Sequence, residues 1–458
     1  MVSSIQNVLE VTIMTSVKID FSKSAGIIKP MHAVNNGPVD GGVRGVGNLS
    51  DYKAAGIPFA RNHDASFCST YGGEHTVDVH RIFKNFDADE NDPNSYVFAP
   101  TDKYLKSHLK AGTEIFYRLG ASIEHGYKKG TYPPKDFLKW ARICEHIIMH
   151  YNEGWADGFE FGIKYWEIWN EPDCMNADGS NPCWQGTEDE FIDFYCVSAT
   201  YLKNRFPDLC IGGPAFCSRS VTPFKEKFMC EVQKRNAPLD FFSYHLYKND
   251  PMYFAEASVA NREALDKYGF KETPAILNEW NYVKGWLDDD FKYSLNTIRN
   301  LKGASYVSAV FCVCQANPVD MLMYYDARPC GFCGLFEAYT YEPRKPYYSF
   351  YMFNELYKQK NSIECEFGKD NIYTCASKSE DGALVFMTYF DNDEKEATKR
   401  VALDLCNLGH ENCKLSCIAL DAQNDAQVIF EKELTGDGGI VEFDIPLFAT
   451  YLFKINKI

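Results

Sequence analysis

Two strings in this sequence end an apolar or aromatic stretch in Asn-Glu: Tyr165-Trp-Glu-Ile-Trp-Asn-Glu-Pro172 and Ile276-Leu-Asn-Glu-Trp-Asn281. Each reads as a strand that gives way to a loop at its carboxylate. An acid closing a buried strand is costly unless it is fully hydrogen-bonded or takes part in chemistry. Two of them, Glu171 and Glu279, make a candidate pair of facing carboxylates. Such a pair cleaves a glycosidic bond: one carboxyl protonates the departing oxygen while the other attacks the anomeric carbon.

The elements that must position this pair alternate between strand and helix. Strand readings fall at Ile27–Val34, Ile57–Asn62, Glu114–Leu119, Tyr165–Glu171, Cys210–Gly213, Phe241–His245, Ala275–Glu279 and Tyr306–Gln315. Between them lie segments with helix-period apolar residues, clearest in Lys135–Tyr151 and Glu188–Phe206, and such helices pack one face on a sheet. Eight strand–helix units predict a (β/α)8 barrel, with both Asn-Glu strings at the C-terminal ends of its fourth and seventh strands. After Tyr357 the texture changes to short strands at Ile372–Ala376, Ala383–Phe390, Lys414–Ala419, Val428–Glu431 and Gly439–Phe453. This predicts an all-β, sandwich-like accessory domain over 358–458, a catalytic barrel over 25–357, and an N-terminal segment, 1–24, whose Val17–Phe21 joins the β module.

At 458 residues the chain suits one large barrel plus a smaller module. The formal charge of −16 argues against nucleic acid or an anionic membrane surface as partner. The aromatic share, 15%, suits stacking on sugar rings as well as core packing. No apolar run is long enough to span a membrane. Met1–Asp20 has no basic n-region, and Glu10 interrupts its best apolar stretch, so it is not read as a signal peptide. The 17 cysteines are odd in number and irregular in spacing, and many sit in apolar runs such as Phe311-Cys-Val-Cys314. They read as buried free thiols in a reducing compartment, hence cytoplasmic. Cys330-Gly-Phe-Cys333 has no second Cys/His pair nearby and reads as loop lining, and His75, Asp78 and His80 as loop structure. The chemistry calls for no metal and no cofactor.

The run from Arg61 to about Glu279 resembles glycoside hydrolase family 39, whose members include bacterial β-xylosidases and lysosomal α-L-iduronidases. The motifs that carry the resemblance are Trp166-Glu-Ile-Trp-Asn-Glu-Pro172, Ser243-Tyr-His-Leu-Tyr247 and Leu277-Asn-Glu279. It implies a retaining mechanism, with Glu171 as general acid and base and Glu279 as nucleophile. It also implies that Asn170 contacts the sugar 2-hydroxyl and that His63 binds sugar. His245 and Tyr247, at the sixth strand end, are candidates to hold Glu279 ionised. Arg61 either supports Glu279, the favoured reading, or pairs with Asp64. Trp280 and Trp286 either line the pocket or pack in the core. Asp326 and Arg328, in the long loop after the eighth strand, shape the pocket or are solvated loop charges. Glu124 and His125 lie on the same face.

The iduronidase branch carries lysine two residues after the sixth-strand histidine. Tyr247 stands there instead, which favours a neutral sugar such as xylose, arabinose or a hexose, the β-xyloside-like or arabinoside-like reading being preferred, while Lys248 and Arg328 keep a uronide open. Long loops at 62–100 and 316–345 predict a closed pocket and exo-action on short oligosaccharides or glycosides. A transglycosylase with the same two glutamates, a non-catalytic carbohydrate-binding barrel and a homo-oligomeric assembly also stay open.

Overall fold

The computed structural model describes residues 14–41, 45–63, 66–68, 72–124, 128–409 and 411–458. Eight parallel strands close a barrel in sequence order. They are β1 (Ala33–Asn35), β2 (Phe59–Asn62), β3 (Glu114–Leu119), β4 (Tyr165–Ile168), β5 (Cys210–Phe216), β6 (Phe242–Lys248), β7 (Ala275–Tyr282) and β8 (Met321–Tyr324). Strand β7 is buried at every position, as a parallel strand covered on both faces must be. The helices after β3 and β4 are capped by side chains that take up orphan N–H groups. Asp136 accepts from Lys139 N ahead of helix Phe137–Asn152. Thr187 and Glu190 form a reciprocal capping box at the head of helix Glu188–Arg205.

Two strand expectations need correction. Tyr306–Gln315 lies inside a helix, Leu301–Ala316, and the eighth strand is the four-residue Met321–Tyr324. The helix packs on helix Lys345–Gln359 and on the module strands Ile372–Lys378 and Gly382–Tyr389. Lys302 through Cys314 are therefore all buried, and the helix has no polar face to betray its period. Its hydroxyls are met within the protein: Ser305 Oγ lies 2.8 Å from Thr388 Oγ1, and Thr450 Oγ1 donates to Ser308 Oγ at 3.0 Å. The segment Ile27–Val34 is likewise two pieces, a module strand Ser24–Ile27 and the barrel strand β1, with Pro30 between them.

The β module holds a seven-stranded antiparallel sheet and a three-stranded sheet over a common apolar core that includes Ile19, Val385, Leu403, Leu415 and Phe453. Thr398–Cys406, a strand not anticipated from the sequence, is the centre of the smaller sheet, flanked by Gly438–Pro446 and by Thr15–Asp20. Thr15–Asp20 runs parallel to it, pairing Thr15 with Val401 and Asp20 with Cys406. Ser24–Ile27 pairs with Asn361–Ile363 in the larger sheet. The chain thus passes from the module into the barrel between Ser24–Ile27 and β1. Gly439–Phe453 divides into Gly438–Pro446 and Thr450–Lys457, with a turn at Phe448, whose φ is 67°. Among the described residues, no helix is long and apolar enough to cross a membrane.

The N-terminal end of the barrel interior is closed by Ala33, Phe116, Phe241, Ile276, Met321 and Met323, a separate apolar cluster. Phe116 stacks on Tyr165 at 5.3 Å and meets Phe241 edge-on at 5.1 Å. The other end of the same barrel is built from charged residues.

Candidate active site

Strands β2, β4 and β7 each send a charged side chain into the barrel, and these meet at Arg61. Its Nε donates to Glu167 Oε2 at 2.6 Å, Nη1 to Glu279 Oε1 at 2.7 Å and to Asn35 Oδ1 at 3.1 Å, and Nη2 to Asn170 Oδ1 at 2.6 Å. Arg61 and Glu167 are wholly buried. Buried charges persist only when every hydrogen-bonding position is filled, and Glu167 is filled further by Ser243 Oγ at 2.6 Å and Asn278 Nδ2 at 2.5 Å. Of the two partners weighed for Arg61, Glu279 is in contact, and Asp64 lies outside the described residues.

Three groups hold Glu279 in addition to Arg61 or around it. Tyr247 donates its hydroxyl to Glu279 Oε2 at 2.8 Å. His63 Nε2 lies 3.3 Å from Oε1. The His63 tautomer follows from its other nitrogen: Arg118 Nε donates to Nδ1 at 3.2 Å, so the imidazole hydrogen sits on Nε2, facing the carboxylate. Arg118 is fixed in turn by Asp78 Oδ1, 2.7 Å from Nη2. His245 Nδ1 lies 3.5 Å from Glu279 Oε2 and 2.7 Å from Glu171 Oε1.

Glu171 reaches the site through a bend at the end of β4. Trp169 and Glu171 take left-handed backbone angles, φ 79° and 48°, unusual outside glycine and costing about 1–2 kcal/mol each. The bend is held on both sides: Trp169 N donates to Leu119 O at 2.8 Å, and Glu171 N to Ala215 O at 2.9 Å. Gly120 allows it, because a Cβ there would lie 3.1 Å from the Trp169 Cα. The carboxylate oxygens of Glu171 and Glu279 come within 4.8 Å of each other. Burial first, and the facing Glu279 second, push the Glu171 carboxyl well above the ordinary carboxylate range. The hydrogen bonds point the same way. Arg61 spends its hydrogen bonds on Glu167, Glu279, Asn35 and Asn170 and gives none to Glu171. Burial lowers the His245 imidazole to about 4, so at neutral pH it is uncharged and offers no cation.

The arrangement thus sets a carboxyl that holds its proton more tightly than usual against one held by Arg61 and Tyr247, with Asn170 beside them. Asn170 Oδ1 is taken by Arg61, which leaves its NH2 end to meet a ligand hydroxyl. Trp286 is 55% exposed and meets the Tyr247 ring edge-on at 5.2 Å. Phe332, 6.2 Å from Tyr247 and 6.0 Å from Tyr325, continues that aromatic wall towards His63, 6.3 Å from Tyr325.

Trp280 is not part of the wall. Strand alternation turns it away from its neighbour Glu279, and it is 0% exposed, packed among Phe254, Tyr306, Phe311 and Tyr324 at 5.3–6.3 Å. Asp326 and Arg328 belong to a bracing layer. Asp326 accepts from Asn36 Nδ2 at 2.8 Å and from Arg328 N at 2.8 Å, and Asn36 Oδ1 in turn accepts from His63 N at 3.2 Å. The Arg328 guanidinium lies over the Tyr104 ring at 5.2 Å. Glu124 collects the backbone N–H groups of Lys129, Gly130 and Thr131 and so organises its own loop. His125 and the His75 side chain lie outside the described residues. In the Cys330–Cys333 loop, the buried Cys333 donates its thiol to Ala327 O at 3.6 Å.

Glu167, Arg118 and Asn36 were not singled out from the sequence. The available signal was a charged residue inside a short apolar strand, which Glu167 in Tyr-Trp-Glu-Ile and Arg118 in Phe-Tyr-Arg-Leu both give.

Comparison with known proteins agrees with this geometry. A β-xylosidase of Geobacillus stearothermophilus is 29% identical over 217 residues, 43% of this chain and 41% of that protein. One of Caldicellulosiruptor saccharolyticus is 26% identical over 208 residues, 41% of each. The chain thus spans well under half the length of these relatives. Over nearly full length the fold matches a glucosidase from Croceicoccus marinus, with TM-score 0.79, 19% identity, and 98% and 99% of the two chains covered. A monomeric β-xylosidase from Caulobacter crescentus matches with TM-score 0.71 and 15% identity over 97% of this chain and all of the other. The model of one family matches residues 68–425, the greater part of the chain, and with it the barrel from β3 onwards and most of the module: the chain belongs to glycosyl hydrolases family 39.

Proposed function

We propose that the chain is a retaining, exo-acting glycosidase that removes a terminal neutral sugar, β-xyloside-like or arabinoside-like, from short oligosaccharides or glycosides. The observation that carries the reading is the pairing of Glu171 and Glu279, whose oxygens approach within 4.8 Å while their surroundings differ. Carboxyl groups about 5–5.5 Å apart leave no room for a water between them, whereas inverting enzymes keep about 6.5–9.5 Å. Glu279 then attacks the anomeric carbon directly and forms a glycosyl-enzyme, as Glu171 gives its proton to the departing oxygen. In the second half Glu171, now ionised, takes a proton from water, which displaces Glu279 and restores the starting anomer. Asn170 donates to the 2-hydroxyl, a bond that strengthens as the ring gains oxocarbenium character.

The neutral-sugar reading is supported by Tyr247, whose hydroxyl is spent on Glu279 where a uronide would need a cation. The names of the two curated relatives favour a β-xyloside. Exo-action is supported by the aromatic wall of Trp286, Phe332 and Tyr325 at one side of the pair. A screen of aryl xylosides, arabinosides, galactosides, glucosides and uronides in both anomeric forms tests the substrate. Proton NMR of the first-formed product tests the mechanism: retention is expected, and net inversion overturns it.

A further inference from the structure

Glu171 has a second set of neighbours on the side away from His245. Its Oε1 faces His245, while its Oε2 receives the thiol of Cys183 at 3.9 Å. Cys174 joins them: the ligand atoms of Glu171, Cys174 and Cys183 all lie within 4.8 Å of one another. The backbone holds both thiols in place. Cys174 N donates to Glu171 O at 3.1 Å, closing a turn that brings the Cys174 side chain back beside the carboxyl. Asn181 receives Cys183 N at 2.8 Å and donates its own amide to Pro172 O at 2.8 Å, tying the second cysteine to the same turn. Trp169 Nε1 donates to Cys183 O at 3.0 Å. A third thiol, Cys217, is hydrogen-bonded to Cys174 and is anchored by Asp173, which accepts from Cys217 N at 2.8 Å.

We propose that Glu171, Cys174 and Cys183 form a binding site for a thiophilic divalent cation such as Zn2+, and that an ion there shuts the enzyme off. The inhibitory part rests on Glu171 being the acid–base group; the binding part does not. Two sulfurs and one carboxylate oxygen are a borderline-soft donor set that favours zinc over magnesium or calcium. Zinc at about 2.3 Å from sulfur and about 2.0–2.2 Å from oxygen, in tetrahedral geometry, sets its ligands roughly 3.5–4 Å apart, close to the spacing already present. Three protein ligands leave a fourth position for water or for Cys217. Binding releases the two thiol protons and the Glu171 proton to solvent. An enzyme loaded in this way has no proton to give the leaving group.

The test uses the full chain, stripped with a chelator and titrated with Co2+ as a spectroscopic stand-in for Zn2+. A thiolate-to-cobalt charge-transfer band saturating at one equivalent and bleached by Zn2+ is expected. The Cys174→Ser/Cys183→Ser double variant should lose it, and the single variant Cys174→Ser, at the less buried thiol, should need roughly tenfold more metal. No band at saturating Co2+, or an unchanged band in the double variant, overturns the site. Turnover of each variant is compared with and without Zn2+, so that each serves as its own reference. The unsubstituted enzyme should fall at least tenfold and the double variant should not respond. Cobalt seated on the two thiols with turnover intact would sustain the site and overturn its inhibitory role.

Discussion

The two ends of one barrel are equally buried and oppositely made. At the floor, Phe116, Phe241, Ile276 and Met321 fill the interior with apolar contact and leave no polar group to satisfy. At the mouth, Arg61, Glu167 and Asn278 are as deeply buried, but every charge there depends on a named partner. The left-handed residues Trp169, Glu171 and Ala215 also lie at the mouth. Strain and buried charge gathered at one end are what a preorganised site requires, and the apolar floor offsets their cost. Stability and chemistry should therefore separate along the barrel axis, and substitutions can test that separation.

The largest effect belongs to Glu279. Glu279→Gln should lower kcat/KM by roughly 10^4–10^6-fold while the folded state survives. A mechanism-based fluorosugar should label Glu279 in the unsubstituted enzyme, and peptide mapping would expose a different nucleophile. Next comes Glu171, whose replacement by Gln should cost roughly 10^2–10^4-fold, least on substrates with good leaving groups. Its raised carboxyl keeps the acid protonated above the ordinary carboxylate range, and kcat/KM should fall as pH rises through that value. Glu171→Gln has no proton to lose there, so the basic limb should vanish. A basic limb that persists in the variant assigns the acid elsewhere. Azide should rescue Glu171→Ala and give a glycosyl azide of retained configuration.

Phe116→Ala at the floor should cost about 3–5 kcal/mol in a denaturant titration, with the kinetics of the folded enzyme left alone. Arg61→Met at the mouth should cost a similar amount, by stranding Glu167 and Glu279, and should lower turnover as well. If Phe116→Ala damages kcat as severely as Arg61→Met, the two ends are not independent. The smallest effect is at the rim. Trp286→Ala should raise KM by about tenfold or less, with little change in stability, whereas the core residue Trp280 should show the reverse when shortened to Phe. Chemical denaturation and steady-state kinetics on the same two variants decide it.

Much of this was legible because β-strands with a charged end are conspicuous. Six barrel strands, part of a seventh, and the placing of Arg61 and Tyr247 beside Glu279 could be read from the residues and the resemblance they carry. The eighth strand could not, because four residues after a turn give little signal, while the all-buried helix Leu301–Ala316 imitates a buried strand. Trp280 was ambiguous because its neighbour Glu279 faces the cavity, and only the alternation of β7 decides which of the two points inward. Glu167 in Tyr-Trp-Glu-Ile gives no sign of its partner, because Arg61 is far away in the sequence. Asp326 and Arg328 stay open between pocket and solvated loop charge in the sequence, because loop position carries no information about which layer of a site a side chain joins.

The parallel pairing of Thr15 with Val401 bears on the order of events at the ribosome. At about 5–20 residues per second, the first strand of the chain waits on the order of 20–80 s for its partner to be synthesised. The barrel strands emerge within that interval, and the module must be completed around them afterwards. Until then Thr15–Asp20 lacks its partner strand, while Ser24–Ile27 waits only for Asn361–Ile363, and an unpaired strand edge is a template for wrong pairing. The strand Thr398–Cys406 therefore relieves Thr15–Asp20 only after the whole barrel has been synthesised.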